Sequence, residues 1–136
     1  MFDLAQRYGE GPIALKLIAE RQQVSEHYLE QLMGALRKAG LVGSVRGAQG
    51  GYELLTHPEN ISIGDIIRAL EGPVLTVHGS DGNAQKPEDP DQLAIWMMWS
   101  SMAEKVNAAL DSYSLAELCD AAARMKAQGD SFMYHI

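Results

Sequence analysis

The chain has 136 residues, 46% of them hydrophobic, with 11 basic and 18 acidic side chains and a formal net charge of −7. That is one domain's length with enough apolar material for a core, and too little Gly and Pro for a collagen-like or disordered polymer. There is no apolar run of about 18 residues to span a membrane, no basic leader segment, and a single cysteine, Cys119, which excludes an intramolecular disulfide framework. A reducing, cytoplasmic setting is expected.

The acidity is uneven. Residues 1–72 carry 7 basic and 9 acidic side chains, whereas residues 73–136 carry 4 and 9. Phosphate binding needs local positive charge, and the first half retains enough to supply it. Non-specific affinity for nucleic acid is expected to be weak.

Met1 to Tyr8 reads as a helix stopped by the Gly9–Pro12 run, and Ile13 to Gln22 as a second. Ser25 is an N-cap candidate for a third, whose apolar stripe is Tyr28, Leu29, Leu32, Met33 and Leu36. Arg37 and Lys38 suit the negative end of its dipole, and Gly40 its C-terminal stop. The period then changes to alternation. Leu41 to Arg46 forms a strand, Gly47 to Gly51 a loop, and Tyr52 to Leu55 the return strand. A turn at residues 57–60 leads to a fourth helix opened by Ser62 or Ile63 and stopped at Gly72-Pro73. Val74 to Pro90 reads as a loop or linker. Asp91 is expected to cap a long helix to about Ser112, with Ile95, Trp99, Met102, Val106, Ala109 and Tyr113 as a heptad-like seam widened by Trp96, Met98 and Leu110. Ser114 caps a last helix to about Gln128.

These elements predict a mostly α fold with a small β-hairpin wing: a winged helix-turn-helix plus a long dimerisation helix. The expected units are a winged-helix DNA-binding domain over 1–73, a loop or linker over 74–90, and the dimerisation helix, C-terminal helix and tail over 91–136. The third helix would enter a major groove, presenting Ser25, His27, Tyr28, Glu30 and Gln31 near its N-terminus. Glu30 can accept from a cytosine amino group and Gln31 can pair with adenine. Tyr28 is open to a core role as well. Arg46 supplies charge to a phosphate or narrow minor groove. Bland readings stand beside these: Ser25 as a simple cap, Arg37 as a solvated helix end, the glycine loop as a tight hairpin.

Three stretches together, SEHYLEQL from Ser25, LRKAGLVGSVRGAQGGY from Leu36 and ISIGDIIRALEGP from Ile61, resemble the Rrf-type bacterial winged-helix transcription regulators. The resemblance covers nearly the whole chain. It implies a homodimer, built on the helix over 91–112, that binds a pseudo-palindromic operator in double-stranded DNA. By residue match it implies a DNA-facing set of Ser25, His27, Tyr28, Glu30, Arg46 and the wing glycines Gly47, Gly50 and Gly51; the expected set also includes Gln31, Arg37 and Gln49. Cluster-binding members carry cysteines between the fourth helix and the long one. Here that segment has none, so no iron–sulfur cofactor is expected, and the pattern looks most like the cluster-free cysteine-metabolism repressor branch. Members also begin with a short basic segment and a fuller first helix, which leaves open whether Met1 is the natural start or helix one is truncated.

The branch further suggests cysteine synthase (O-acetylserine thiol-lyase) as a partner for the terminal Tyr134, His135 and Ile136. The alternative is terminal packing of Ile136 on the dimer core. Cys119 is expected to be a buried, inert thiol. His78 has no neighbouring ligand for a metal. With no Ser-His-Asp arrangement or phosphate loop, the expected function is a sequence-specific, non-enzymatic transcription regulator. The competing expectation is a winged-helix protein that acts mainly by docking to an enzyme and binds DNA weakly.

Overall fold

A computed structural model describes residues 1–75 and 85–134, with side chains through residue 129. The chain runs α1 (Phe2–Gln6), α2 (Leu15–Gln22), α3 (Glu26–Lys38), β1 (Val42–Val45), β2 (Gly51–Leu54), a 3₁₀ turn (Pro58–Asn60), α4 (Ile63–Glu71), α5 (Pro90–Asp111) and α6 (Leu115–Tyr134). Strands β1 and β2 are antiparallel, with Val42 opposite Leu54 and Val45 opposite Gly51.

One apolar cluster organises these elements. It contains Leu4 from α1, Ile18 from α2, Leu29, Met33 and Leu36 from α3, Val42 and Leu54 from the hairpin, Ile61, and Leu115 from α6. Met33, Val42, Ile61 and Leu115 are fully buried, and each such side chain contributes on the order of 2 kcal/mol. Helix α6 therefore packs into the same core as the N-terminal elements, beside α1.

Several elements differ from expectation in instructive ways. Ile13 is not helical: it makes an antiparallel bridge with Tyr52, donating to the Tyr52 carbonyl at 2.9 Å and accepting from its N–H at 2.8 Å. This bridge adds a short third edge to the hairpin and seats it on the segment before α2. Gly51 belongs to β2 rather than to the loop, since it pairs with Val45, and it is glycine because a Cβ there would collide with the Ile13 carbonyl. Asp91 is not the cap of α5. Asp89 is, accepting from the Gln92 N–H at 3.1 Å, since Pro90 takes the first helical position where its missing N–H is harmless. Helix α6 continues through Gly129 to Tyr134. Trp96 does not widen the seam of α5. It lies with Ser100, Ala103 and Asn107 on the buried face, which meets α4.

Polar ties fix the helices to one another. A capping box opens α4: the Ser62 hydroxyl accepts from Asp65 N–H at 2.9 Å and the Asp65 carboxylate from Ser62 N–H at 3.0 Å. The backbone of Ile63 donates to Tyr113 O at 2.9 Å and that of Leu115 to Ile61 O at 2.8 Å. This pairing joins the start of α4 to the α5–α6 turn. Arg68 of α4 pairs with Asp111 of α5 and donates to the Asn107 side-chain oxygen Oδ1 at 3.2 Å. The Arg68 hydrogen bond holds the Asp111 carboxyl below its usual value.

Asp3, 3% exposed, ties α1 to α2. Its carboxylate accepts from Arg21 Nε at 2.8 Å and Nη2 at 2.7 Å, and from Arg7 at 3.2 Å. The Arg21 hydrogen bonds hold its carboxyl below the usual value against the opposing effect of burial. Stability from this group is present above the unfolded carboxylate pKa of about 3.9 and is lost as pH falls through the lower folded value. Asp3→Asn should lose about 2 kcal/mol near neutral pH, and the gap to the parent should close below about pH 4, as read from urea melts across pH. Gly51→Ala should lower the melting midpoint by unseating the hairpin, at about 2 kcal/mol, whereas Ala48→Gly at the exposed tip should change it little.

Candidate nucleic-acid interface

Helix α3 has two faces of opposite character. Leu29, Met33 and Leu36 face the core, while Ser25, Glu26, His27, Glu30, Gln31 and Arg37 are exposed. Tyr28, left open between core and surface, is 52% exposed and lies outside the core. The Ser25 hydroxyl accepts from Tyr28 N–H at 3.1 Å, so Ser25 is the N-cap, as its position indicated. The Gln31 amide nitrogen lies 3.3 Å from His27 Nε2. The structure thus assembles the helix-borne set on one solvent-facing surface.

The hairpin stands beside the C-terminal end of this helix. Arg37 donates to the Ser44 hydroxyl on β1 at 3.2 Å, so its guanidinium ties helix to wing. Ser44 was missed in the sequence: it stands two residues beyond buried Val42 on the same face of β1, where alternation predicts burial, yet it is exposed. Arg46, Gly47 and Gln49 are exposed at the tip. Gly50 and Gly51 are partly buried, and their need for glycine comes from the chain itself: a Cβ at Gly50 would strike the Val45 carbonyl. Gly47 has φ +116° and open space where a Cβ would sit, leaving its backbone accessible.

The surface carries Arg37, Lys38 and Arg46 against Glu26 and Glu30. Its cations sit at the end nearest the wing, and its carboxylates near the helix start. That arrangement suits the α3 dipole and leaves acceptors, as well as donors, facing outward for base edges.

Away from this surface, α5 exposes an apolar stripe. Ile95 and Met98 are more than half exposed, and Trp99, Met102, Val106, Ala109 and Tyr113 are also exposed in the single chain. Alongside lies an open groove of about 1100 Å³ between α5 and α6, lined by Ile63, Val106, Leu110, Tyr113 and Leu118 among others. Among the described residues no helix is long and apolar enough to cross a membrane. His78, His135 and Ile136 lie outside the described residues, as does the Tyr134 side chain.

The family model described as "Rrf2: Iron-dependent Transcriptional regulator" matches residues 1–121. HTH-type transcriptional regulator CymR of Bacillus subtilis (strain 168) is 42% identical over 136 residues, spanning 100% of this chain and 91% of that protein. HTH-type transcriptional regulator IscR of Aliivibrio salmonicida (strain LFI1238) is 40% identical over 120 residues, spanning 87% of this chain and 69% of its own length. The solved structure of CymR (YrzC), the global cysteine regulator of B. subtilis, superposes with a TM-score of 0.69 at 45% identity, covering 88% of this chain and 86% of that one. A T. potens IscR structure gives 0.66 at 48% identity, covering 89% and 78%.

The iron named in the family's description finds no thiolate set here. The one cysteine, Cys119, sits half-buried on α6, where burial pushes its thiol up and away from the thiolate. Among the described residues no group of three or more His, Cys, Asp or Glu side chains is placed to hold a metal ion. With its hairpin wing, its capped and exposed third helix, and full-length similarity to these regulators, the chain belongs to the Rrf2 family of transcriptional regulators.

Proposed function

We propose that this regulator is a cytoplasmic homodimer that represses genes of cysteine metabolism by binding a pseudo-palindromic operator, without an iron–sulfur cluster. The observation that carries the DNA-binding part is the polar face of α3, exposed from Ser25 to Gln31 and tied to the wing through Arg37 and Ser44. Similarity to CymR along its whole length supports the cysteine assignment, and the lone cysteine supports the cluster-free branch.

In this reading α3 lies in the major groove. Glu30 accepts from a cytosine amino group and Gln31 addresses an adjacent base, while Ser25, His27 and Tyr28 contact the edges and backbone nearby. Arg46, Gly47 and Gln49 approach the backbone or minor groove from the wing tip. Arg37 links the helix to the wing through Ser44. The net charge makes the phosphate contribution small, so sequence preference rests on base contacts doubled by two-fold symmetry.

The second copy covers the α5 stripe. Ile95, Trp99, Met102, Val106, Ala109 and Tyr113 form its seam, with the groove against α6 receiving the partner's helix. Met102→Lys with Val106→Asp should convert the protein to a monomer in sedimentation velocity and reduce operator affinity at least tenfold. A double variant that still sediments as a dimer contradicts this interface.

Fluorescence anisotropy with duplexes selected from a random pool, titrated against salt, tests the DNA assignment. Arg46→Ala should weaken all sequences alike and reduce the salt slope by about 1. Glu30→Ala should instead relax preference at one base pair by roughly 1–3 kcal/mol. If no duplex is preferred over bulk DNA at any salt concentration, the assignment is wrong.

A further inference from the structure

His27 and Gln31 stand one turn apart on the exposed face of α3, with His27 Nε2 and the Gln31 amide nitrogen 3.3 Å apart. An amide nitrogen can only donate. In this arrangement His27 Nε2 must therefore accept, its ring proton sits on Nδ1, and the Gln31 oxygen is turned away from the ring. Among the described residues neither side chain has another hydrogen bond, and His27 forms no ion pair.

Adding a proton to His27 reverses the logic. Nε2 then carries a hydrogen and must donate. Two donors cannot face each other, so the Gln31 amide turns over, placing its oxygen on the ring and its NH₂ outward. No bond other than N–H is made, and the proton comes from solvent. We propose that His27 is a positioning residue that sets which edge of the Gln31 amide faces DNA and so selects the base that Gln31 reads. This rests on α3 being the element that enters the groove.

The two amide orientations address different bases. An outward oxygen accepts from the amino group of adenine or cytosine. An outward NH₂ donates to guanine O6 or N7, to thymine O4, or to adenine N7, so the orientations separate cytosine from guanine and thymine while adenine can meet either.

The charged neighbours of His27 on its own helix are Glu26 and Glu30. The elements packed against α3 meet its opposite face, through Leu29, Met33 and Leu36. Their charged groups are Lys16, Glu20 and Arg21 on α2, and Asp65, Arg68 and Glu71 on α4; β1 has none. Arg21 and Arg68 are engaged by Asp3 and by Asp65 and Asp111. Gln31 is thus the hydrogen-bonding group whose orientation follows the His27 proton.

The test is selection of duplexes from a randomised pool, followed by sequencing, with the full chain at about pH 5.5 and about pH 8 and constant salt. The wild type should switch preference about tenfold at one base pair per half-site, from cytosine at the higher pH to guanine or thymine at the lower. His27→Ala should lose the switch. His27→Lys, a permanent donor, should show the low-pH preference at both values.

A wild-type preference that ignores pH overturns the proposal, as does a switch that survives in His27→Ala. So does a rise in affinity for every sequence alike on acidification, because that marks a protonated ring resting on phosphate. Absence of any sequence preference at either pH overturns the groove assignment of α3 itself, and this proposal with it.

Discussion

The architecture depends on a division of labour within α3. Thirteen residues must both close the core and leave a surface free to meet another molecule. Leu29, Met33 and Leu36 complete the first task from one side of the helix. Because the same cluster receives Ile18, Val42 and Leu54, anything that moves α3 also moves α2 and the hairpin. The exposed polar row is therefore held by apolar packing beneath it, and its side chains carry little of the folding energy. That separation is what lets a family keep one scaffold while changing the sequence it recognises.

The hairpin is placed from two sides. Ile13 pairs with Tyr52 at one edge, and Arg37 reaches Ser44 at the other. The first contact is backbone to backbone and insensitive to side-chain identity, apart from the clearance that Gly51 provides. The second is a single exposed hydrogen bond and allows adjustment. A wing anchored firmly at its base and lightly along its length can settle against a duplex without disturbing the core.

Much of this was legible in the sequence because the local signals agreed. The stripe of α3, the Ser25 cap and the change to alternation after Gly40 all point the same way. What was not legible has specific causes. Ile13 is apolar and precedes a helix, so periodicity absorbs it into that helix; its pairing with Tyr52 is a contact 39 residues distant that no local pattern encodes. Two acids flank Pro90, and only the rule that proline prefers the first helical position separates Asp89 from Asp91. Trp96 and Trp99 are both large apolar residues on a helix that is apolar over most of its circumference, so spacing could not say which faced α4. On α3 the solvent-facing residues could be named in advance, but the tie between Arg37 and Ser44 could not.

Helix α5 has 22 residues, which at about 1.5 Å per residue makes a rod on the order of 33 Å long. One end is clamped to the winged-helix unit by the Arg68–Asp111 pair and the backbone pairing at Ser62 and Ser114. A rod fixed in this way acts as a caliper. In the proposed dimer the separation of the two α3 helices is set by where along its length the second rod crosses, and adjacent major grooves on one side of B-form DNA recur at about 34 Å. The stiffness of that joint, more than the chemistry of the reading surface, then decides which half-site spacings the molecule accepts.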